Sequence, residues 1–237
     1  MTLFLGHNII DLSHILQKDS PTWSGGCGFH LENLTNYGED LFCVQQLQQT
    51  CSMGTHMDAP AHLFPEGLTI DQLPLNALMA PLAIIDITPK VQGKNDYGLT
   101  VADIRQDIQT RGPISKGSFV FIRSGWSKRF HDADSYRNLV GSDHMVFPYC
   151  THEAAAYLME IGIRGLGIDT LSPDGGMMIG EFPVHHLLLG AGCIIVENLN
   201  NLELVPARGA YGQMLPVKFA GTTEASVRPL AYIPDIN

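Results

Sequence analysis

The chain has 237 residues, 45% of them hydrophobic and 16% charged, with 24 acidic residues against 14 basic ones and a formal net charge of −10. This length supports one domain with a sizeable core, and the composition excludes intrinsic disorder. An acidic surplus without a basic run argues against nucleic acid or an anionic membrane as partner, because both need clustered Lys and Arg. The longest apolar run, Leu187 to Val196, falls well short of the ~20 residues needed to span a bilayer. Cys27, Cys43, Cys51, Cys150 and Cys193 are odd in number and scattered, so neither a disulfide framework nor a zinc knuckle is expected. Met1 to Asp11 lacks the basic region and apolar stretch of a secretory signal. A cytoplasmic protein fits all of this.

In chain order, Asn8 to Leu12 reads as a strand leading into Ser13 and His14. The stretch from Asp19 to Gly28 contains Pro21, Trp23, Gly25, Gly26 and Gly28, so it is a loop, and Trp23 either lines a pocket or tucks onto the core. Leu41 to Gln49 reads as a strand with Leu41, Cys43 and Leu47 on one face and Gln46 and Gln48 on the other.

It runs into Cys51-Ser52-Met53-Gly54-Thr55-His56-Met57-Asp58-Ala59-Pro60-Ala61-His62, the densest chemistry in the chain. As a strand, this stretch presents Ser52, Gly54, His56 and Asp58 on one face. Gly54 adds no bulk there and leaves room for an ion or a substrate. An imidazole and a carboxylate at i and i+2 can converge on one divalent cation. Pro60 has no N–H for a ladder, so the strand ends near it, and His62 returns from another direction as a candidate proton carrier. The plainer alternative is a polar strand face with no ligand.

Thr69 and Gln72 form a capping box, but Pro74 limits the helix to a very short one. Pro81 to Thr88 is an apolar, central strand. Thr100 opens a helix with Val101, Ile104 and Ile108 on its apolar face, stopped by Gly112-Pro113. Phe119 to Ile122 is a buried strand. Ser124 beyond it lacks the flanking glycines of a nucleophile elbow and has a structural role. Thr151 caps a helix from His152 to Ile161, closed by Gly162, with His152 at the surface. Gly165 to Thr170 is a strand, and Asp169 at its end is placed to orient a neighbouring His or a loop backbone.

Pro183 to Gly190 reads as a short helix. Consecutive helical residues lie about 100° apart, so only one of His185 and His186 can face a site. Glu197 ends the strand from Cys193. It either lies at the surface or needs a cation or several donors. Met214 to Phe219 and Val227 to Ile233 read as the last strands. Strands outnumber helices and alternate with them irregularly, which gives an α+β, mixed α/β fold.

The run Ser52 to His62 resembles the motif of the cyclase family of metal-dependent hydrolases, which includes kynurenine formamidases and isatin hydrolases. That motif is His-x-Gly-Thr-His-x-Asp-x-Pro-x-His, and this chain departs from it only where Ser52 stands in place of the first His. Asp11-Leu12-Ser13-His14, Gly167-Ile168-Asp169-Thr170-x-Ser172 and Glu197-Asn198-Leu199 are similar to the family as well. The resemblance runs from Asp11 to Val227. It implies the swivelling β/β/α fold over residues 1–237 as a single domain, and a homo-oligomer, dimer or higher.

In the family, a His followed twelve positions later by a Glu completes the metal site. His185 and Glu197 have that spacing, so the resemblance selects His185 over His186 and implies His56, Asp58, His185 and Glu197 as ligands of a divalent Zn or Mn ion. It also assigns His62 to general acid–base work and tilts Trp23 toward the substrate pocket. The expected reaction is hydrolysis of amide C–N bonds in a small kynurenine-formamidase-like or cyclic-amide substrate. Ser52 offers a weaker ligand than imidazole, which could favour manganese or magnesium over zinc, reduce two metals to one, or abolish binding. The last case would make the chain a non-catalytic small-molecule-binding protein. An ester or lactone hydrolase is the other alternative.

Overall fold

The computed structural model describes residues 7–141, 144–175 and 181–234. The first six residues, part of the stretch read for a signal, lie outside them. Fifteen strands occur in chain order among the described residues. They are β1 (His7–Asp11), β2 (Phe29–Asn33), β3 (Gln45–Gln49), β4 (His56–Asp58), β5 (Met79–Asp86), β6 (Gly98–Leu99), β7 (Phe119–Arg123), β8 (Leu139–Val140), β9 (His144–Met145), β10 (Tyr149–Cys150), β11 (Gly165–Ile168), β12 (Ile194–Glu197), β13 (Ala210–Gln213), β14 (Glu224–Ser226) and β15 (Leu230–Pro234). The helices are α1 (Thr88–Val91), α2 (Val101–Arg111), α3 (Ala133–Arg137), α4 (His152–Ile161) and α5 (Pro183–Gly190).

A nine-stranded sheet in the order β1-β15-β13-β5-β7-β11-β12-β4-β14 forms the frame. The pairs joining β5, β7, β11 and β12 are parallel. Two of them, β5 and β7, contain the runs read as apolar or buried, as strands covered on both faces must be. One face packs with Ile104, Leu158, Leu188 and Leu189 of α2, α4 and α5. The other packs with Met57, Ala225 and Ala231 of the antiparallel strands. The fold is mixed α/β, as the sequence implies.

The capping boxes sit where the pattern places them. Thr69 and Gln72 close a three-residue 3-10 turn, Ile70–Gln72, and Thr100 with Asp103 opens α2. Thr151 caps α4, which stops at Gly162 with φ 84°. His152 is exposed.

Three expected strands are corrected. Leu41 to Val44 is irregular and only Gln45–Gln49 is extended, paired with β2 in a two-stranded sheet that shares no ladder with the main one, although Gln49 Nε2 donates to Ser226 Oγ of β14. Its apolar residues face water: Leu41 is 97% exposed and Leu47 51%. Alternation therefore signals a strand but not burial, because a two-stranded ribbon has no sheet to bury its face against. Met214 to Phe219 forms no strand beyond an isolated bridge of Pro216 to Val227; the ladder lies earlier, in β13. Of the expected Val227 to Ile233 strand, Val227 makes an isolated bridge and only the part from Leu230 onward is extended, as β15 beside β1; β14 ends before it, at Ser226, and pairs at the opposite edge of the sheet.

Candidate active site

The site lies at the C-terminal ends of the parallel strands, where open α/β sheets usually bind ligands. Register does much of the placing. Glu197 of β12 lies opposite His56 of β4, and Glu224 of β14 lies opposite Asp58. Directly opposed residues share a face, and i, i+2 residues share it too, so His56, Asp58, Glu197 and Glu224 all project to one side. Met57, Val196 and Ala225, which alternate with them, are at most 1% exposed in the core. Full burial of a side chain the size of Met57 contributes about 1.5–3 kcal/mol, which helps hold a three-residue strand in register.

His56 Nε2 lies 3.5 Å from Asp58 Oδ1 and 3.2 Å from Glu197 Oε2. His185 Nε2, from α5, lies 3.5 Å from Asp58 Oδ2 and 3.3 Å from Glu197 Oε1. His185 is buried while its neighbour His186 is exposed against Phe64. All four converging residues are at most 6% exposed.

Each imidazole is anchored through Nδ1. That of His56 donates to the Gly54 carbonyl at 2.8 Å, and that of His185 donates to Asp174 Oδ2 at 2.6 Å. The Gly54 carbonyl also accepts from Asn198 Nδ2, and Asn198 Oδ1 accepts from the buried Tyr136 hydroxyl. Asp174 accepts the Val184 and His185 amides as well, so one carboxylate caps the start of α5 and aims its histidine.

With both Nδ1 protons committed, each Nε2 turns a lone pair toward carboxylate oxygens. Both oxygens of Asp58 and Oε1 of Glu197 are buried without a hydrogen-bond partner. A closed ring of acceptors is costly to bury unless a cation or protons sit inside it. The 3.2–3.5 Å spacings are those of neighbouring donors around one ion with ligand bonds of about 2.0–2.2 Å. The residues present therefore fit a divalent cation. Without a cation they hold protons. Burial lowers the pKa of His56, but Glu197 and Asp58 outweigh it and raise the imidazole to about 9. His185 is likewise pushed up against the effect of burial, by Asp174, Asp58 and Glu197. Asp58 stays below the usual carboxylate range although burial opposes this, because His185 and His56 stand beside it.

The pocket outside this ring is lined by Trp23, Ser52, His62, Phe182 and Glu224. Together with the ring residues at its base, it encloses about 270 Å³. Trp23 packs against Phe147 and Phe182 with ring centroids 6.5 and 6.0 Å away. Phe182 holds φ +40°, a strained value for a bulky residue, where the chain enters α5. His62 ends the 3-10 turn Pro60–His62 and is partly exposed, with Nδ1 3.7 Å from Glu224 Oε2.

The Cyclase family model matches residues 10–175. An isatin hydrolase from Roseibium aggregatum is 33% identical over 190 residues, 76% of this chain and 71% of that protein. This chain belongs to the cyclase family. A kynurenine formamidase from Geobacillus thermodenitrificans is 29% identical over 192 residues, 80% of this chain and 81% of that one. The solved structure of isatin hydrolase A from Ralstonia solanacearum superposes with a TM-score of 0.89 at 29% identity, covering 96% of this chain and 92% of that one. A structure described as a potential metal-dependent hydrolase with cyclase activity gives a TM-score of 0.71 at 27% identity, with 98% and 99% covered.

Within this cyclase-family chain, two sequence expectations about the site strand need correction. The strand begins only at His56, and Ser52 lies in the turn before it, exposed at the pocket, so strand alternation does not place it. Gly54 does not leave room for a ligand. Its φ is +62°, and a Cβ there would collide with Leu16. Glycine is required for the turn that brings its carbonyl under His56.

Asp169 accepts from the Ser124 amide and hydroxyl and from the Gly125 amide, so it holds a loop backbone and not a histidine. Burial raises its pKa against those bonds. Ser124 is accordingly structural. Asp174, Phe182 and Glu224 join the site without a sequence motif that singles them out, whereas Asn198 lies in the Glu197-Asn198-Leu199 run without its role being legible there. For Glu224 the only available signal is the polar–apolar alternation of Glu224-Ala225-Ser226-Val227.

Proposed function

We propose that this chain is a metal-dependent hydrolase of amide C–N bonds, acting on a small cyclic amide or aryl formamide. Its similarity to an isatin hydrolase and a kynurenine formamidase supports the bond type. The observation that carries the reading is the ring of unpartnered carboxylate oxygens facing two imidazoles whose Nδ1 protons are already used. His56, Asp58, His185 and Glu197 would hold the ion, zinc or manganese. When bound, it polarises a carbonyl and makes water more acidic. Two neutral imidazoles and two carboxylates balance its charge.

The remaining work falls to the chain itself. The Gly54 carbonyl and Asp174 keep protons on the two Nδ1 atoms and both Nε2 atoms facing inward. Trp23 and Phe182 form an aromatic wall for a flat ring. His62, at the mouth, takes the proton from water as it adds to the amide carbon and returns it to the departing nitrogen. Protein reloaded with zinc or manganese is expected to hydrolyse isatin or an N-formylaniline and to lose this on chelation. Bound metal without turnover on amides, esters or lactones would make it a binding protein. Turnover of lactones alone would replace the bond type.

For the assembly we read a cytoplasmic homo-oligomer. The exposed Leu31, Leu41, Phe42 and Leu47 of the β2–β3 hairpin favour contact with a second copy. Sedimentation showing only monomer would remove that part.

A further inference from the structure

Each of the three imidazoles at the pocket has an oxygen beside Nδ1, and the three are graded. Asp174 Oδ2 is 2.6 Å from His185, the Gly54 carbonyl 2.8 Å from His56, and Glu224 Oε2 3.7 Å from His62. The first two partners are fixed by helix capping and by a tight turn. The third sits on an edge strand, β14, but its register is set from both sides: Ala225 is buried in the core beneath it, and Glu224 lies opposite Asp58. Its side chain is 20% exposed and that of His62 31%, so both retain freedom that the buried pair lacks. Among the described residues, no Lys or Arg lines the pocket to draw the Glu224 carboxylate away.

We propose that Glu224 is the positioning residue of His62. Its carboxylate accepts the Nδ1 proton, so the opposite ring edge offers a bare Nε2 to the reacting water. The spacing of 3.7 Å closes to a hydrogen bond by a small movement of two half-free side chains, as catalytic contacts often do once substrate is present. This rests on the reading of His62 as proton carrier. It assigns Glu224 to orientation and not to metal binding or to substrate contact.

The experiment is a double-mutant cycle on metal-loaded protein, with nitrogen NMR of His62 as a second readout. Glu224→Ala should lower kcat on the order of 10-fold to 100-fold, with KM and metal content unchanged. Glu224→Gln, whose amide oxygen still accepts from Nδ1, should restore most of that loss. In the His62→Ala background, Glu224→Ala should cost nothing further, because the residue acts only through His62. Losses that add in the double variant, or a rise in KM or loss of metal in Glu224→Ala, overturn the proposal. The NMR does not depend on the substrate: zinc-loaded wild type should hold His62 with its proton on Nδ1, and Glu224→Ala should move it toward Nε2. One tautomer in both proteins overturns it as well. If no amide is turned over but the tautomer shifts, the positioning stands and the proposed activity falls.

Discussion

The two halves of the pocket are built to different standards. On the inner half, His56, Asp58, His185 and Glu197 are at most 6% exposed, and the imidazoles are tied by bonds of 2.8 and 2.6 Å. On the outer half, Ser52 is exposed, His62 and Glu224 are partly exposed, and the nearest tie spans 3.7 Å. An ion is best held by donors that cannot move, whereas a proton carrier must meet two atoms in turn. On the proposed reading the contrast separates two roles: the rigid half would hold the ion, and the loose half would handle substrate and protons.

The most severe way to break that division is to cut into the rigid half. His185→Ala removes a donor and leaves Asp58 and Asp174 without their imidazole. Metal content should vanish, activity should fall to background, and unfolding free energy should drop by roughly 3–5 kcal/mol, as for a broken buried ion pair. His186→Ala, one residue along and exposed, should change stability by less than about 0.5 kcal/mol. Metal analysis and urea unfolding of both variants check this. Equal effects from the two would mean that α5 does not present His185 alone.

His62→Ala tests the loose half. It should leave metal content intact and lower kcat by about 10²–10⁴-fold. An empty metal site in this variant would move His62 among the ligands and erase the boundary between the halves.

What is readable in the sequence follows the same boundary. The apolar strands β5, β7, β11 and β12 and the His56-x-Asp58 pair are local patterns, and local patterns survive folding. Choosing His185 over His186 needs the family spacing to Glu197, because helical geometry says only that one of them turns inward. Glu224 is out of reach because its place depends on the pairing of an edge strand to β4 across most of the chain. Asp174 escapes notice because a carboxylate in a loop looks the same whether it caps a helix or meets water. Gly54 misleads for the opposite reason: a missing side chain reads as space, when its positive φ is what the turn needs. The hairpin of β2 and β3 has the alternation of a half-buried strand but no sheet behind it.

The two halves should also part with pH. In metal-free protein His56 has a pKa near 9, above its unfolded value near 6.5. A raised pKa stabilises fully below the unfolded value, and that contribution is lost as pH rises through the folded one. Chelator-treated protein should therefore lose stability between about pH 6.5 and 9. The cation competes with the same proton, so the stabilisation gained on adding metal should grow over that range. His14, held down to about 4 by burial, contributes in a separate window, where stability falls as pH drops below its unfolded value. Thermal unfolding with and without metal across these windows is the measurement. A flat metal-free profile from pH 6.5 to 9 would mean that the inner ring holds no protons.

The smallest expected effect lies at the seam between the halves, at Ser52. This is the position where the family motif has His, and here it is an exposed serine at the mouth of the pocket, in the turn before β4. The neutral hydroxyl is a poor metal ligand beside an imidazole, so on the proposed reading the nitrogen ligands would come from His56 and His185. Oxygen-rich donor sets lean toward manganese or magnesium, and each added imidazole leans toward zinc. Ser52→His should thus tighten metal binding by about tenfold and shift preference toward zinc, with the fold unchanged because the position is exposed. Competitive titration of zinc against manganese on both proteins reads the change directly. If affinity and preference both stay as they were, position 52 does not reach the ion, and the departure from the family motif belongs to the substrate side of the pocket.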